Sequence, residues 1–310
     1  MPQRTRLTDA DADCAIAQAL DVVGDWWTLL IVRDAARGVH RFDALQAESG
    51  MSRKVLAERL RLLVDADVLS REPYQDRPVR YEYRLTRRGR ALLPVLIALQ
   101  DWGDTWLLGE GETMATTAEA SQEAERVHAL RGTHLPELQL PDFDGESRDP
   151  VAADTPYTVL YCFPGAYARP DAYPPGWAGI PGAPGCTLES CTYRDQLAEF
   201  TAAGATVHGV SAQRPDEQRA FADKERLRFP LLSDADLTLT AALRLPTFRV
   251  AGISRLKRLT LVVGQDRTIR EVLYPITDIG ASVEAALASV RAGVKADVES
   301  GVKNGRRGSG

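Results

Sequence analysis

Four cysteines stand at positions 14, 162, 186 and 191, and the pair Cys186 and Cys191 is placed for nucleophilic chemistry. Pro184-Gly185 immediately precedes an amphipathic run that begins Cys186-Thr187-Leu188-Glu189-Ser190-Cys191. A Pro-Gly turn into a helix sets Cys186 near the first helical residue. There the free backbone N–H groups and the positive end of the helix dipole favour a thiolate. A thiolate attacks peroxide oxygen and becomes a sulfenic acid. Cys191 follows five residues later. An intact helix holds the two sulfurs too far apart for a bridge, which needs Cα atoms within ~7 Å, so a disulfide requires the first turns to unwind. Two helical cysteines can also simply fill a core; the Pro-Gly-Cys start sets this pair apart.

Cys162 lies in an apolar run and reads as a small buried hydrophobe. Cys14 opens the first helical stretch and is a candidate redox-sensing thiol. The four histidines, at 40, 128, 134 and 208, fall at no ligand spacing with the cysteines. No metal and no cofactor is expected.

A second kind of chemistry is suggested by charge. The chain carries a net −5, yet residues 26–92 hold 14 Lys and Arg against 9 Asp and Glu. A basic segment on an acidic chain points to one region that faces an anion. Within it, Ser52, Arg53, Lys54 and Arg59 lie on the early or outward part of a predicted helix. Arg77 and Arg80 lie on a predicted hairpin. Arginine pairs bidentately with guanine, and Lys and Ser suit phosphates. Taken singly, each of these charges is explained as well by solvation of a surface.

The elements that must position these residues follow from periodicity. Residues 14–23 and 26–35 read as helices, and Gly38 ends the second. Residues 41–48 form a short amphipathic helix broken at Gly50-Met51. Ser52 stands where an N-cap belongs, before a helix over 53–65 with Val55, Leu56, Leu60, Leu63 and Val64 on one face. That order is helix-turn-helix. Strand-like runs at 69–72 and 80–85 flank a polar turn, 73–79, as in a wing. Thr86 caps a last helix running through 92–102. The stretch from Cys14 through SGMSRKVLAERLRLLVDADVLSRE and VRYEYRLTRRGRALLPVL resembles the HxlR-type winged helix regulators over residues 12–105. The resemblance implies an α+β winged helix-turn-helix that binds double-stranded DNA as a homodimer. Its first and last helices, 14–23 and 92–102 here, would form the dimer contact.

Residues 108–133 turn polar and acidic and read as a linker, helical in part. Beyond them, strands at 157–163, 206–212, 259–263 and 269–276 alternate with helices at 186–203, 216–227 and 279–294, an α/β pattern. The segments LPDFDG, YTVLYCFP, PGCTLESCTYRDQLAEF, ATVHGVSAQ, RFPLLSDADLTLTAALRLPTF and RLTLVV are similar to the peroxiredoxins of the bacterioferritin-comigratory type, in the AhpC/TSA group. That resemblance implies a thioredoxin-like fold over 134–294. It makes Cys186 the peroxidatic and Cys191 the resolving cysteine, Arg258 the arginine that stabilises the thiolate, and Pro164 the proline that shields it. Two departures stand out. Ala183 occupies the place of a hydroxyl residue that holds the peroxide, and residues 165–183 form an insert. Tyr167, Arg169 and Tyr173 of that insert are candidate replacement donors.

The chain is therefore expected to be multidomain: residues 1–107 for DNA and dimerisation, a linker, a thiol domain, and a disordered tail over 295–310. Residues 1–13 lack an apolar leader core, and the longest unbroken apolar stretch, about 92–99, is far short of a membrane span. A cytoplasmic protein with no membrane partner is expected. The leading functional expectation is a redox-responsive transcription regulator that senses or reduces peroxide, recycled by a thioredoxin-type reductant. One alternative is a thiol peroxidase whose winged helix serves dimerisation or targeting. Another is a thiol-exchange or ligand-binding module without peroxidase activity, a reading that Ala183 keeps open.

Overall fold

Short polar side chains, Asp25, Ser52 and Thr86, cap three helices of the N-terminal unit. The computed structural model of the chain describes residues 13–109 and 111–305. The chain divides between Leu96 and Ile97 into two compact units. Helix α1 (Ala15–Val23) begins at Cys14, and α2 (Trp26–Ala36) begins at Asp25, whose carboxylate accepts from the N–H groups of Trp27 and Thr28. Helix α3 (Phe42–Ser49) ends at Gly50, which takes φ +65° and closes the last turn with its N–H on Gln46. Ser52 then caps α4 (Arg53–Asp65) by accepting from the Val55 N–H. Leu56, Leu60 and Leu63 of α4 pack at helical spacing with Ile31, Val32 and Leu45 in one core.

The wing is longer than its expected strands. Antiparallel β1 (Leu69–Asp76) and β2 (Val79–Leu85) pair from Leu69 opposite Leu85 out to Asp76 opposite Val79, so only Arg77 and Pro78 turn. The polar stretch expected to be loop is strand because both faces of a projecting hairpin meet water; its polarity marked exposure, not irregularity. The expected last helix is two helices. Thr86 caps α5 (Arg87–Arg90), and α6 (Leu93–Trp106) starts afresh with Pro94 in its first turn, where a missing N–H costs nothing.

In the second unit the sheet runs β11-β10-β5-β6-β7. Strands β5 (Tyr157–Cys162), β6 (Ala205–Ser211) and β7 (Leu231–Ser233) are parallel. Strand β10 (Leu259–Gly264) is antiparallel to β5 and to β11 (Ile269–Leu273). All of β5 is buried, and its alternate residues feed two cores. Val159, Tyr161 and Phe163 meet side chains of α8 (Cys186–Asp195), α9 (Leu197–Ala202), α10 (Pro215–Glu225) and α12 (Ile279–Gly305). Leu160 and Cys162 face the other side, with α7 (Gln122–His128) and α11 (Thr238–Leu243). Small hairpins β3 (Leu140–Pro141) with β4 (Ser147–Arg148), and β8 (Thr247–Val250) with β9 (Ile253–Leu256), complete the unit. This mixed sheet between helical layers is the thioredoxin-like arrangement.

Three expectations need revision here. The single helix expected over 186–203 breaks at Gln196 into α8 and α9. Much of the expected linker packs into this unit: Ser121 caps α7, and Ala115, Ala124 and Val127 are buried. Its polarity belongs to the outer face of α7, whose small apolar residues face inward. Helix α12 runs to Gly305, so the expected disordered tail is helical as far as that residue. Residues 306–310 lie outside the described residues.

Buried Asp234 shows how strongly one cap is tied in. Its carboxylate accepts from the Leu239 N–H, the Thr240 N–H and the Thr240 hydroxyl at the start of α11. Asp234→Ala leaves three buried donors unpaired and is expected to destabilise the protein by about 1–3 kcal/mol. Asn should recover part of the loss; urea denaturation of the three proteins tests this.

Candidate functional site

Strand β5 delivers the chain to the floor of a thiol site. Beyond Cys162 the residues Phe163, Pro164, Gly165 and Ala166 are all buried. Gln213, in the turn after β6, clamps them: its side-chain oxygen accepts from the Ala166 N–H and its amide donates to the Ala166 carbonyl, both at 2.8 Å. The Gly165 N–H reaches the Cys186 sulfur. Cys186 is the first residue of α8 and is 2 % exposed. Gly185 before it has φ +109°, and a Cβ there would meet Ile279 at 2.8 Å and Arg258 Nη2 at 3.6 Å. The left-handed turn favours glycine, and the crowding an added Cβ would cause falls on the Ile279 side chain.

Arg258 stands one residue before β10 and bridges the site. Its Nη2 donates to Cys186 Sγ at 3.5 Å and to the Pro184 carbonyl at 3.1 Å, while Nη1 binds the Glu189 carboxylate. Arg258 and Glu189 are both buried, and Glu189 Oε1 has no hydrogen-bond partner. Burial pushes the Glu189 carboxyl up to about 7, against the pull of Arg258. For Cys186, burial is also the largest influence and raises the thiol, while Arg258 and the Gly165 N–H lower it and Glu189 raises it. The expected bias of a helix start toward thiolate is thus opposed here. The sulfur is nearly sealed from water, and its arginine is shared with a carboxylate one turn along α8.

Cys191 is half-buried on α8 with its sulfur 3.5 Å from Glu225 Oε2. Five helical residues separate two positions by roughly 7.5 Å along the axis and about 140° around it. The bridge to Cys186 therefore needs α8 to open. Pro164 is buried in the turn whose next N–H meets Cys186. Cys162 is fully buried in β5, and burial pushes its thiol far up. Ala183 is buried, and its carbonyl accepts from the Cys186 thiol at 3.5 Å. Of the candidate donors in the insert, Tyr167 and Tyr173 line a cavity that reaches Cys186, whereas Arg169 is exposed beside Asp171. Glu189, Gln213, Arg255 and Trp177 were not singled out from the sequence. Glu189 falls one turn after Cys186 on α8, the single signal that pointed to it; the other three come from distant segments.

In the N-terminal unit, α4 follows the Gly50 turn with Ser52, Arg53 and Lys54 exposed at its start. Arg53 is tethered to Asp43 and Gln46 and lies over the Phe42 ring, which aims it along the α3–α4 turn. Arg59 is held within the unit. Its guanidinium binds Asp25 at 3.0 Å, bracing α4 against the cap of α2. Among the described residues, Lys54, Arg77 and Arg80 have no ion-pair partner, and all three are exposed, the last two on the wing. Cys14 is exposed at the start of α1 and makes no side-chain capping bond.

A helix-turn-helix with a wing and a buried cysteine–arginine pair under a thioredoxin-like sheet define a two-module protein, one module of the kind that reads DNA and one built for thiol chemistry. The HxlR-like helix-turn-helix family model matches residues 22–110, and the AhpC/TSA family model matches residues 179–272. An uncharacterised HTH-type transcriptional regulator of Mycobacterium tuberculosis is 45 % identical over 93 residues, 30 % of this chain and 59 % of that protein's length. A second such regulator, from Synechocystis sp., is 38 % identical over 112 residues, 33 % of this chain and 83 % of the relative. A putative peroxiredoxin of Mycobacterium tuberculosis is 31 % identical over 163 residues, 52 % of this chain and 96 % of that protein. The crystal structure of peroxidoxin BcpB from the same organism is similar at 30 % identity, covering 52 % of this chain and 96 % of that one with a TM-score of 0.44. The chain belongs to the HxlR-like helix-turn-helix family through its N-terminal domain and to the AhpC/TSA peroxiredoxin family through its C-terminal domain. Among the described residues no single helix is long and apolar enough to cross a membrane.

Proposed function

We propose that this protein is a redox-responsive transcription regulator in which peroxide oxidises Cys186 and the change alters DNA binding. The observation that carries the thiol half is the Arg258 guanidinium, 3.5 Å from the Cys186 sulfur and held in place by Glu189. In the reaction, the Cys186 thiolate attacks one peroxide oxygen. The S–O bond forms as the O–O bond breaks, sulfur gives up two electrons, and the departing alkoxide or hydroxide takes a proton to leave as alcohol or water. Arg258 favours the thiolate and faces the charge that moves onto oxygen. Local opening of α8 then lets the Cys191 thiol give up its proton and attack the sulfenic sulfur; the S–S bond forms as the S–O bond breaks, and the departing hydroxide takes a proton to leave as water. A dithiol reductant of the thioredoxin type restores both thiols by exchange.

The DNA half rests on the start of α4 and the wing. Ser52, Arg53 and Lys54 face the major groove in this reading, and Arg77 and Arg80 follow the flanking backbone. The protein acts as a homodimer through its first and last winged-helix elements. In support, α1 exposes Ile16 and Leu20, and α6 exposes Leu99 and Trp102. Leu20→Glu should then shift the protein toward monomer in light scattering.

Arg53→Ala is expected to weaken operator binding about tenfold or more, whereas Arg77→Ala should weaken binding across sequences and lower the salt slope by about one unit. Titrations at several salt concentrations check both; parent-like binding by both variants rules out this orientation. The coupling is tested by DNA affinity before and after peroxide, with disulfides mapped on the same samples. In this reading Cys186→Ser protein keeps one affinity under both conditions, and a relay through Cys14 makes Cys14→Ser behave likewise. An unchanged parent affinity after the disulfide has formed rejects the coupling.

A further inference from the structure

We infer that residues 254–258 carry the effect of disulfide formation at Cys186 to helix α6, with buried Asp101 as the catch that lets the helix go. The inference rests on the proposed oxidation of Cys186. Successive residues of a strand point to opposite sides, and in this segment the two sides lead to different places. On the thiol side, Arg255 donates to the Tyr167 hydroxyl at 2.8 Å, and Arg258 holds Cys186 and Glu189. On the other side, Ser254 donates to the Asp101 carboxylate at 2.6 Å, and Lys257 binds the two oxygens of Glu123 at 2.9 and 3.0 Å. Asp101 belongs to α6 and Glu123 to α7. Ser254, Arg255, Lys257 and Arg258 are all buried.

Asp101 makes a catch because of how it is bonded. It is 4 % exposed and accepts from the Thr247 hydroxyl on β8 and the Ser254 hydroxyl on β9, so one carboxylate ties both strands of the hairpin to α6. Gln100 beside it donates to the Leu245 carbonyl at 3.0 Å. Both donors to the carboxylate are neutral, and burial raises the Asp101 carboxyl against their pull. A buried carboxylate stripped of its donors is costly, so it is either seated on the hairpin or out in water. Helix α6 begins in the winged-helix unit, where Leu96 packs on that unit's core. It also exposes Leu99 and Trp102, the residues of the proposed dimer contact.

Oxidation supplies the push. The disulfide needs α8 to open, and Cys186 and Glu189 both lie on α8. Opening withdraws both partners from Arg258 and leaves a buried guanidinium unpaired, which is costly. Arg258 must follow its partners or turn toward water. Either movement pulls on Lys257 and on β9 just before it, and the bonds from Thr247 and Ser254 to Asp101 give way. The covalent steps are those given above; the release itself forms and breaks only hydrogen bonds.

The test uses the full-length chain, reduced and with the Cys186–Cys191 disulfide formed, and reads hydrogen exchange over residues 98–106 by mass spectrometry. In the parent, disulfide formation should speed exchange there by about tenfold or more, the effect of losing hydrogen bonds to a buried charge. Asp101→Ala should exchange fast already when reduced and change little on oxidation. Ser254→Ala, a milder change that removes one bond, should move in the same direction and guards against misfolding in one variant. The disulfide should still form in both. DNA affinity of the parent should shift by about tenfold or more on oxidation, and Asp101→Ala should lose that shift. Equal exchange over 98–106 in the two redox states of the parent overturns the inference, as does a full affinity shift kept by both variants. Faster exchange with unchanged DNA affinity upholds the route and rejects the proposed coupling to DNA. Failure of peroxide to produce the disulfide overturns the proposed thiol chemistry, and this inference with it.

Discussion

Cys186→Ser protein is expected to lose peroxide consumption by roughly a thousandfold or more, the order seen when an enzyme's nucleophile is removed. The structure gives the reason for so complete a loss. Of the four cysteines, Cys186 alone has a guanidinium donating to its sulfur. Cys162 is sealed inside β5, with its thiol pushed far up by burial. Cys191 has the Glu225 carboxylate against it, and burial with that carboxylate raises its thiol despite Arg194. Cys14 is exposed at the start of α1. In Cys191→Ser the first step remains, so the sulfenic acid on Cys186 should accumulate and be captured by dimedone. Rapid turnover by Cys186→Ser, with a thiol reductant present, would transfer the chemistry to another residue.

The second large effect is expected at Glu189, as a change in pH dependence. Glu189 and Cys186 compete for Arg258, one through Nη1 and the other through Nη2. The charged carboxylate raises the Cys186 thiol, so Glu189→Gln should shift the pH profile of iodoacetamide labelling at Cys186 to lower pH. A purely structural role would not move that profile in this direction. Stability should respond as well. The folded protein holds the Glu189 proton to about pH 7, above the ordinary value of 4.5, so the native state binds more protons than the unfolded chain between those values. Its contribution is complete below pH 4.5 and is lost as pH rises through about 7. Glu189→Gln removes this loss, and its urea midpoint should vary less from pH 5 to 7.5 than the parent's. Removing the arginine instead, as in Arg258→Ala, leaves a carboxylate buried and unpaired and is expected to cost about 3–5 kcal/mol. That variant should also react more slowly with peroxide, because the thiolate loses its cation. An iodoacetamide profile in Glu189→Gln that matches the parent's would show that the carboxylate does not govern the thiol.

Local chemistry was legible in the sequence wherever a few consecutive residues decide the backbone. Gly50 and Ser52 mark the end of α3 and the cap of α4 because positive φ and an N–H acceptor are requirements of single residues. Pro184-Gly185 marks the start of α8, and with it the position of Cys186, for the same reason. Helical spacing in α4 revealed which of its faces is buried, and the apolar run of β5 marked a buried strand. Polarity misled in the wing and at α7, since it reports contact with water and not the absence of regular structure.

What lies far apart in the chain was decided by the tertiary structure. Arg59 looked like a DNA contact, yet Asp25, 34 residues away, pairs with it. Glu189 became part of the site only when β10 brought Arg258 between it and Cys186. Arg255 braces the wall of the cavity because the β8–β9 hairpin carries it to Tyr167. Burial was likewise beyond reach of local pattern. The same helix start that favours a thiolate in water holds a raised thiol here, because the desolvation of Cys186 depends on Phe163, Ala183 and α12 closing around it. Charge pairing and dielectric depend on distances through space, and one-dimensional spacing specifies those only within a turn of helix or a pair of strand residues.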